Sequence, residues 1–401
     1  MMKKGLNDLA LFGGPPAFHD KLHVGRPNIG NRERLLQRIN ELLDRRWLTN
    51  NGPCVQEFEQ QLAQMLGVKH CVAMCNGTIA LEIVIRALGL TGEVIVPSFT
   101  FVATAHALQW QEITPVFCDI DPATHTLDPA RIEALITPRT SGIIGVHLWG
   151  RACKIGELER LAEKHRLKLV FDAAHAFACS HNGRMIGGFG AAEVFSFHAT
   201  KFFNAFEGGA VVTNDAALAD KLRLMKNFGF AGYDNVVHVG TNGKLTEVCA
   251  VMGLTGLESL PEVVAANRRN YLAYQAALRN LPGVGMVQYD EKEQNNYQYI
   301  VLEIDQAVTQ VSRDNVLKAL QAENVVARRY FYPGCHRMEP YRSYFPNARL
   351  LLPQTERLAQ RVLVLPTGQT LGAAEIETIA EIIRVTLAHG AQIEKTMAQR
   401  T

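Results

Sequence analysis

Residues 193–201 read Glu-Val-Phe-Ser-Phe-His-Ala-Thr-Lys and pass from a short apolar strand into a loop that ends on Lys201. Five phenylalanines lie between positions 195 and 206, and Gly208 and Gly209 follow them. Aromatic surroundings take an amine out of water, which lowers its pKa and makes it available as a nucleophile. The alternative is a lysine that extends from a core segment into solvent. The stretch thus predicts a strand whose carboxyl end carries a candidate reactive amine.

Short apolar strands and helical stretches alternate on both sides of this segment. Near-continuous apolar strands between helices predict an α/β fold with a mostly parallel sheet covered by helices. Ligands of such sheets bind outside the carboxyl ends of the strands. The predicted strands are His70–Met74, Glu93–Val96, Thr114–Asp119, Gly142–His147, Leu167–Phe171, Glu193–Phe197 and Ala210–Thr213. The predicted helices between them are Thr78–Leu88, Ala103–Gln109, Pro129–Leu135, Lys154–His165 and Ala216–Asn227.

The pattern divides the chain into three parts. Residues 1–30 are rich in Gly and Pro and are predicted to form an irregular N-terminal arm. Residues 31–255 contain two amphipathic helices and the alternating region, and are predicted to form the large, cofactor-binding domain. Residues 256–401 begin with a long helical segment and are predicted to form a smaller C-terminal α/β domain.

Composition excludes several classes of protein. Of 401 residues, 47% are apolar and 20% are charged, which excludes an intrinsically disordered chain. The net charge of +2 gives no support for a nucleic-acid-binding face. No apolar run reaches the ~20 residues of a membrane span. The eight cysteines are scattered without a second ligand pair, so no metal site is predicted, and a cytoplasmic protein is expected.

Two further loops carry polar groups at strand ends. Asn76, Gly77 and Thr78 follow the first strand, and this turn indicates either a helix N-terminus that binds an anion or an ordinary N-cap. Asp172 ends a buried strand and is followed by His175. A carboxylate there needs a partner, which is either a structural donor or a cationic heterocycle.

Together these loops supply the groups that a pyridoxal phosphate site requires. An amine from Lys201 forms a Schiff base, and a carboxylate from Asp172 pairs with the pyridinium nitrogen. A helix start at Gly77 and Thr78, with Ser196 nearby, holds the phosphate. Residues 97–101, Pro-Ser-Phe-Thr-Phe, place an aromatic ring at another strand end. No Gly-x-Gly-x-x-Gly fingerprint is present, which disfavours an NAD-dependent oxidoreductase.

The order of these motifs closely resembles that of the DegT/StrS-type nucleotide-sugar aminotransferases, which have the pyridoxal-phosphate transferase fold of aspartate aminotransferase. The resemblance begins at residues 47–52, Trp-Leu-Thr-Asn-Asn-Gly, and continues to residues 363–366, Leu-Val-Leu-Pro. The combined lysine, aspartate and Glu-Gly-Gly (207–209) motifs carry it. It implies a homodimer that uses pyridoxal 5'-phosphate.

The resemblance also implies roles for individual residues. Lys201 and Asp172 match the catalytic lysine and the carboxylate at the ring nitrogen. His175 stands where many relatives have Gln, and Phe101 matches the aromatic that stacks on the ring. Gly77, Thr78 and Ser196 match phosphate contacts. Asn242 matches an asparagine that reaches the neighbouring subunit's phosphate, although relatives commonly read Asn-Tyr-Arg where this chain has Asn-Gly-Lys.

The implied reaction moves an amino group, with glutamate as the expected donor, onto a keto-sugar nucleotide. The text around Lys201 resembles the branch that acts at carbon 4 of dTDP-4-keto-6-deoxyhexoses, and action at carbon 3 is the alternative. Relatives that act as sugar dehydrases carry a His in place of the lysine, so Lys201 argues against that reaction. A non-catalytic regulator on the same fold is disfavoured by the presence of both Lys201 and Asp172.

A last motif lies at residues 328–336, Arg-Arg-Tyr-Phe-Tyr-Pro-Gly-Cys-His. Arginine suits bidentate phosphate recognition, and aromatic rings can stack on a base. Similar text lies near the nucleotide-sugar site of the family, with its first Arg matching Arg328. Arg329 and His336 are therefore predicted to bind the sugar nucleotide, against the alternative of solvated charges at a strand end.

Overall fold

A seven-stranded sheet forms the centre of the large lobe in the computed structural model, which describes residues 3–399. All neighbouring strands are parallel except Gly209–Thr213, which is antiparallel to both of its neighbours. The mostly parallel sheet predicted from the sequence is confirmed. In spatial order the strands are His70–Met74, Gly209–Thr213, Ala192–Ser196, Lys168–Asp172, Thr140–Val146, Glu93–Pro97 and Thr114–Cys118.

Helices cover both faces of this sheet because its strands are apolar on both sides. Ile143 and Ile144 are successive residues of one strand, yet they belong to different buried clusters on opposite faces. The predicted helix at 129–135 is instead two 3-10 turns, since seven residues beginning with a proline close too few helical hydrogen bonds. The helices of this lobe are Arg32–Arg45, Pro53–Leu66, Gly77–Ala87, Ala103–Gln109, Ile155–His165, Ala216–Met225 and Glu247–Glu258.

The chain leaves the large lobe through two helices that meet at Ser259 with a bend of 63°. Val263 still packs into the large-lobe core, whereas Tyr271 and Tyr274 pack into the core of the small lobe. The domain boundary near residue 256 remains a prediction. Within residues 3–399 no single helix could cross a membrane; only this bent pair has the length and composition, and only when its halves are joined.

The small lobe is an antiparallel three-stranded sheet packed against helices. Its strands pair in the order Val284–Met286, Ile300–Ile304 and Val362–Leu365. Its principal helices are Leu260–Ala277, Arg313–Ala322, Ala373–Ala388 and Gly390–Gln399.

The N-terminal arm is docked on the small lobe. The ammonium of Lys3 lies 2.9 Å from the carboxylate of Glu323, and both side chains are almost fully buried. Glu323 also accepts hydrogen bonds from the backbone N–H groups of Ala10 and Ala17, each at 2.7 Å. Leu22–His23 then adds a short parallel strand beside Val325–Val326. A buried carboxylate with this many donors fixes the path of the arm.

Candidate active site

A pocket of about 860 Å³ opens at the carboxyl ends of the parallel strands. Most of the residues singled out in the sequence for binding a cofactor line this one pocket. They are Gly77, Thr78, Phe101, Asp172, His175, Ser196 and Lys201. The strand-end loops that carry them are far apart in the chain, and the sheet brings them together.

Lys201 lies just beyond the strand Ala192–Ser196. It ends a turn in which the Lys201 backbone N–H donates a hydrogen bond to the His198 carbonyl at 2.8 Å. Burial lowers the pKa of its amine to about 8, and the nearby carboxylate of Asp172 partly opposes that shift. A lysine with this pKa has a far larger neutral fraction near physiological pH than an ordinary lysine, and the neutral amine is the form that acts as nucleophile or general base.

Asp172 ends the neighbouring strand Lys168–Asp172 and is only 6% exposed. Its carboxylate accepts hydrogen bonds from the Thr104 hydroxyl at 2.8 Å and from the Ala174 N–H at 3.1 Å. Burial nevertheless raises its pKa, because these donors only partly replace water. A cationic group bound in the pocket would reverse that shift and hold Asp172 ionised.

Thr104 was not singled out in the sequence. Its hydroxyl lies between Asp172 and the hydroxyl of Thr100, which is 3.1 Å away. All three side chains are buried. The signal that could have identified Thr104 is a polar residue at the start of the helix that follows the Pro97–Phe101 loop, a position that faces the sheet.

The helix Gly77–Ala87 points its N-terminus into the pocket. Asn76 caps it by accepting from the Ile79 N–H at 2.8 Å, which leaves the N–H groups of Gly77 and Thr78 for an incoming anion. A Cβ on Gly77 would lie 3.1 Å from the Cβ of Ser196, and one on Gly209 would lie 2.6 Å from the Gly77 nitrogen. Glycine is needed at 209 because the two backbones touch there.

His175 is buried among aromatic rings. Its ring centroid lies 4.5 Å from that of Tyr299, 5.8 Å from Phe331 and 5.9 Å from Trp149. Burial, together with the charge of Lys201, lowers the imidazole pKa well below its usual value, so the ring is neutral. Its Nδ1 is buried and has no hydrogen-bond partner among the described residues, which leaves it available to a bound polar group.

Arg329 and His336 lie elsewhere than the sequence predicted. Arg329 pairs with Asp314 at 3.1 Å and stacks over Tyr332. His336 is 2% exposed and bridges the lobes, with Nδ1 2.7 Å from the Ser98 hydroxyl and Nε2 2.6 Å from the Glu356 carboxylate. Neither residue lines the pocket.

Arg328 occupies the place expected of Arg329. It lines the pocket together with Tyr330, and its guanidinium lies 5.3 Å from the centroid of the Tyr330 ring. Successive residues of an extended segment point to opposite sides, so Arg328 faces the pocket when Arg329 faces Asp314. Asn242 is exposed and lies outside the pocket, in a bridge with Asn227.

The arm also reaches the pocket, a placement that no motif in the sequence indicates. Residues 23–27, including Arg26, line the side formed by the arm and the small lobe. The pairing of Leu22–His23 with Val325–Val326 carries them there.

Comparison with known proteins identifies a family pattern over most of the chain. Residues 30–384 match the DegT/DnrJ/EryC1/StrS aminotransferase family. The chain is 36% identical over 368 residues to the dTDP-4-amino-4,6-dideoxy-D-glucose transaminase of Shigella dysenteriae, covering 90% of this chain and 98% of that protein. It is 33% identical over 369 residues to the GDP-perosamine synthase of Caulobacter vibrioides, covering 90% and 96%.

A solved structure is more similar still. The crystal structure of DesI in the presence of its TDP-sugar product superposes with a TM-score of 0.94 and 52% sequence identity, covering 99% of this chain and all of that one. The likeness includes the arm, since almost the whole chain is aligned.

Proposed function

This chain belongs to the DegT/DnrJ/EryC1/StrS aminotransferase family, and from that premise we propose that it transfers an amino group from glutamate to carbon 4 of a dTDP-4-keto-6-deoxyhexose. It is an aminotransferase, and its cofactor is pyridoxal 5'-phosphate. The observation that carries the proposal is the placement of Lys201, with a pKa of about 8, and buried Asp172 at the ends of adjacent strands in one pocket.

The residues of the pocket fit this cofactor. A free helix N-terminus at Gly77 and Thr78, with Ser196 beside it, suits a phosphate. The carboxyl of Asp172, with its raised pKa, is short of a cationic partner. The Nδ1 of His175, which has no hydrogen-bond partner within residues 3–399, is a further polar atom that suits the phenolic oxygen of the pyridoxal ring. Phe101 is 59% exposed at the pocket and offers a ring face.

Each residue then has a defined task. When bound, pyridoxal phosphate supplies an electron-withdrawing ring that stabilises negative charge on the amine-bearing carbon. Asp172 keeps the ring nitrogen protonated, and Thr104 holds the carboxylate in place. Lys201 accepts a proton at Nζ from the donor's α-carbon and later returns one to carbon 4 of the sugar. The aromatic rings around His175 would exclude water from the phenolic-oxygen side of the bound cofactor ring.

The identity of the acceptor rests on two supports. The relative from Shigella dysenteriae is a dTDP-4-amino-4,6-dideoxy-D-glucose transaminase, and DesI, 52% identical in an alignment that covers 99% of this chain, was solved in the presence of its TDP-sugar product. Arg328 and Tyr330 supply a guanidinium and an aromatic ring on the pocket side formed by the small lobe, which suits a pyrophosphate and a base. GDP-linked relatives exist at 33% identity, so the nucleotide must be tested directly.

The proposal includes a homodimer in the cytoplasm. The segment 228–239 exposes several large apolar side chains, and Tyr233 is fully exposed. A second copy of the chain would cover such a surface and bring Asn242 to the neighbouring phosphate. The eight cysteines are free thiols, as a reducing compartment requires.

A product analysis tests the proposal. The purified holoenzyme is incubated with nitrogen-15-labelled glutamate and, in turn, with dTDP-, UDP- and GDP-linked 4-keto sugars and a dTDP-3-keto sugar. Mass spectrometry should find the label incorporated fastest into the dTDP-linked 4-keto acceptor, and NMR should place it on carbon 4. Incorporation only at carbon 3, or only into another nucleotide series, would contradict the proposed acceptor. The Lys201→Ala variant is the negative control.

A further inference from the structure

Arg26 is an unassigned cation on the pocket surface. It lies on the arm between Leu22–His23 and the helix Arg32–Arg45, and its side chain is exposed to the pocket. It makes no hydrogen bond or ion pair with any described residue. An arginine without a partner beside a substrate pocket is available to an anionic ligand.

The backbone that carries Arg26 is fixed from two sides. On one side, His23 pairs with Val326 in the small lobe. On the other, Gly25 has a φ of +75°, and a Cβ there would lie 2.8 Å from the carbonyl oxygen of Thr200, the residue before Lys201. A side chain at position 25 would clash with this loop, and a positive φ favours glycine.

Asn28 completes the attachment on the far side of Arg26. The side-chain amide of Asn28 donates to the Phe202 backbone carbonyl at 2.9 Å. The backbone carbonyl of Asn28 accepts from the side-chain amide of Asn204 at 2.8 Å. The arm is therefore hydrogen-bonded to the residues that follow Lys201. Arg26 has a rigid base and a free guanidinium, which is the condition for binding an anion at low entropic cost.

Proximity to the lysine loop decides which anion. The α-carboxylate of an amino acid is attached to the carbon that bears the reacting amine. The pyrophosphate of a sugar nucleotide is attached to carbon 1, across the hexose ring from carbon 4. Arg26 stands between Gly25, which packs against Thr200, and Asn28, which bonds to Phe202, and so it is placed for the nearer group. Arg328, carried by the small lobe, is placed for the farther one.

We infer that Arg26 binds a carboxylate of the amino donor. The inference rests on the proposed aminotransferase function and assigns the donor site to the arm. Of the acidic side chains that line the pocket, Asp172 is held by Thr104 and Ala174, and Glu207 lies 3.4 Å from His198. Among the described residues, Arg26 thus remains a guanidinium without a partner on the arm side of the pocket.

The test measures binding of glutarate, a dicarboxylate without an amine, to the holoenzyme by calorimetry. Arg26→Gln should weaken glutarate about ten- to a hundredfold, the cost of one charge-assisted contact, while the affinity for dTDP stays within twofold. Arg26→Lys should recover part of the loss, since it keeps the charge without the fork. Arg32→Gln, an exposed arginine outside the pocket, is the matched control.

The outcomes separate this inference from the proposed function. Unchanged glutarate affinity in Arg26→Gln, or no measurable glutarate binding to the wild type, overturns the donor assignment. A selective loss of dTDP affinity also overturns it and reassigns Arg26 to the pyrophosphate. Equal losses of affinity for glutarate and dTDP would also overturn it, because they would mean that Arg26 only supports the structure of the arm. If the wild type instead binds glutarate through Arg26 but transfers no amine, the proposed function fails while the carboxylate site stands.

Discussion

The floor and the wall of the pocket are built differently. The floor consists of Gly77, Asp172, Ser196 and Lys201, which lie at or next to the carboxyl ends of strands in one sheet. The wall consists of Arg26, Arg328 and Tyr330, which come from the arm and the small lobe. Floor residues are positioned by the regular spacing of strands, whereas wall residues depend on contacts between opposite ends of the chain.

Secondary structure alone determines where the floor residues lie, but not where the wall residues lie. The position of a residue that ends a parallel strand is fixed, because all such ends meet at one edge of the sheet. A side chain in an extended segment can lie on either of two faces, and a shift of one position moves it to the other face. Chemistry should therefore be lost most completely at the floor, and substrate selection should change most at the wall.

Lys201→Ala should abolish turnover and leave the fold intact. The floor would lose its only amine able to move the proton, and each 1.36 kcal/mol of lost stabilisation costs about tenfold in rate. The measurement is turnover together with a thermal melt. Borohydride reduction of the wild-type holoenzyme, followed by peptide mapping, should attach the cofactor to Lys201; attachment to another lysine would break the assignment of the floor.

Asp172→Asn should keep the cofactor and lose activity by about a hundred- to a thousandfold, the cost of removing one partner of a buried charge. An amide cannot hold a ring nitrogen protonated. The amide oxygen can still accept from the Ala174 N–H, and the Thr104 hydroxyl can accept from the new amide N–H, so the fold should persist. The checks are single-turnover kinetics and the amount of bound cofactor. Near-normal rates would make Asp172 a structural residue.

Arg328→Ala should raise the KM for the sugar nucleotide by about ten- to a hundredfold and leave the glutamate half-reaction nearly unchanged. Arg329→Ala is the matched control, because Arg329 pairs with Asp314 outside the pocket. Steady-state kinetics with varied acceptor decide between them. A larger effect at Arg329 would restore the assignment first expected from the sequence.

The pH dependence of acylation sharpens the description of the floor. In cofactor-free protein the label on Lys201 should rise about tenfold between pH 7 and pH 9, since the amine becomes neutral as pH passes through its lowered pKa of about 8. Asp172 raises that pKa, so Asp172→Asn should move the midpoint below 8. Peptide mapping measures the label, with exposed Lys292 as the internal reference. A midpoint above 10 would mean that Lys201 is solvated.

Glu323→Gln should produce the smallest change, a melting temperature lower by a few degrees, because a buried acceptor of charge-assisted bonds is weakened by about 1.5–3 kcal/mol. Trypsin should also cleave the arm faster after Lys21, which precedes Leu22 and is exposed. Glu377→Gln breaks an exposed pair with Arg384 and serves as the control. Equal melts for the two variants would mean that Lys3 and Glu323 do not hold the wall.

The sequence was sufficient for the sheet and the floor. The predicted strand His70–Met74 matches the observed bounds, and the other predicted strands of the large lobe deviate by at most two residues at an end. Apolar runs that end in polar loops carry that information locally. The predicted helix Pro129–Leu135 is wrong, because seven residues form too few helical hydrogen bonds to offset the cost of starting a helix.

The wall could not be predicted because its information is not local. Nothing in the text around Arg26 indicates that Leu22 pairs with Val325. The segment 328–336 had the right residue types, but which arginine faces the pocket depends on the bridge between Arg328 and Val364. His336 looked like a ligand-binding imidazole, and its burial between Ser98 and Glu356 follows only from the packing of two lobes.

The docking of the arm has a consequence for biosynthesis. The arm leaves the ribosome well before its partners, Glu323 and Val325–Val326, which lie about 300 residues further along the chain. At about 5–20 residues per second, the arm waits on the order of 15–60 s for them. The pocket is therefore completed only after residues 323–330 have been made, so a nascent chain that already contains Lys201 and Asp172 still lacks the wall through which substrates are selected.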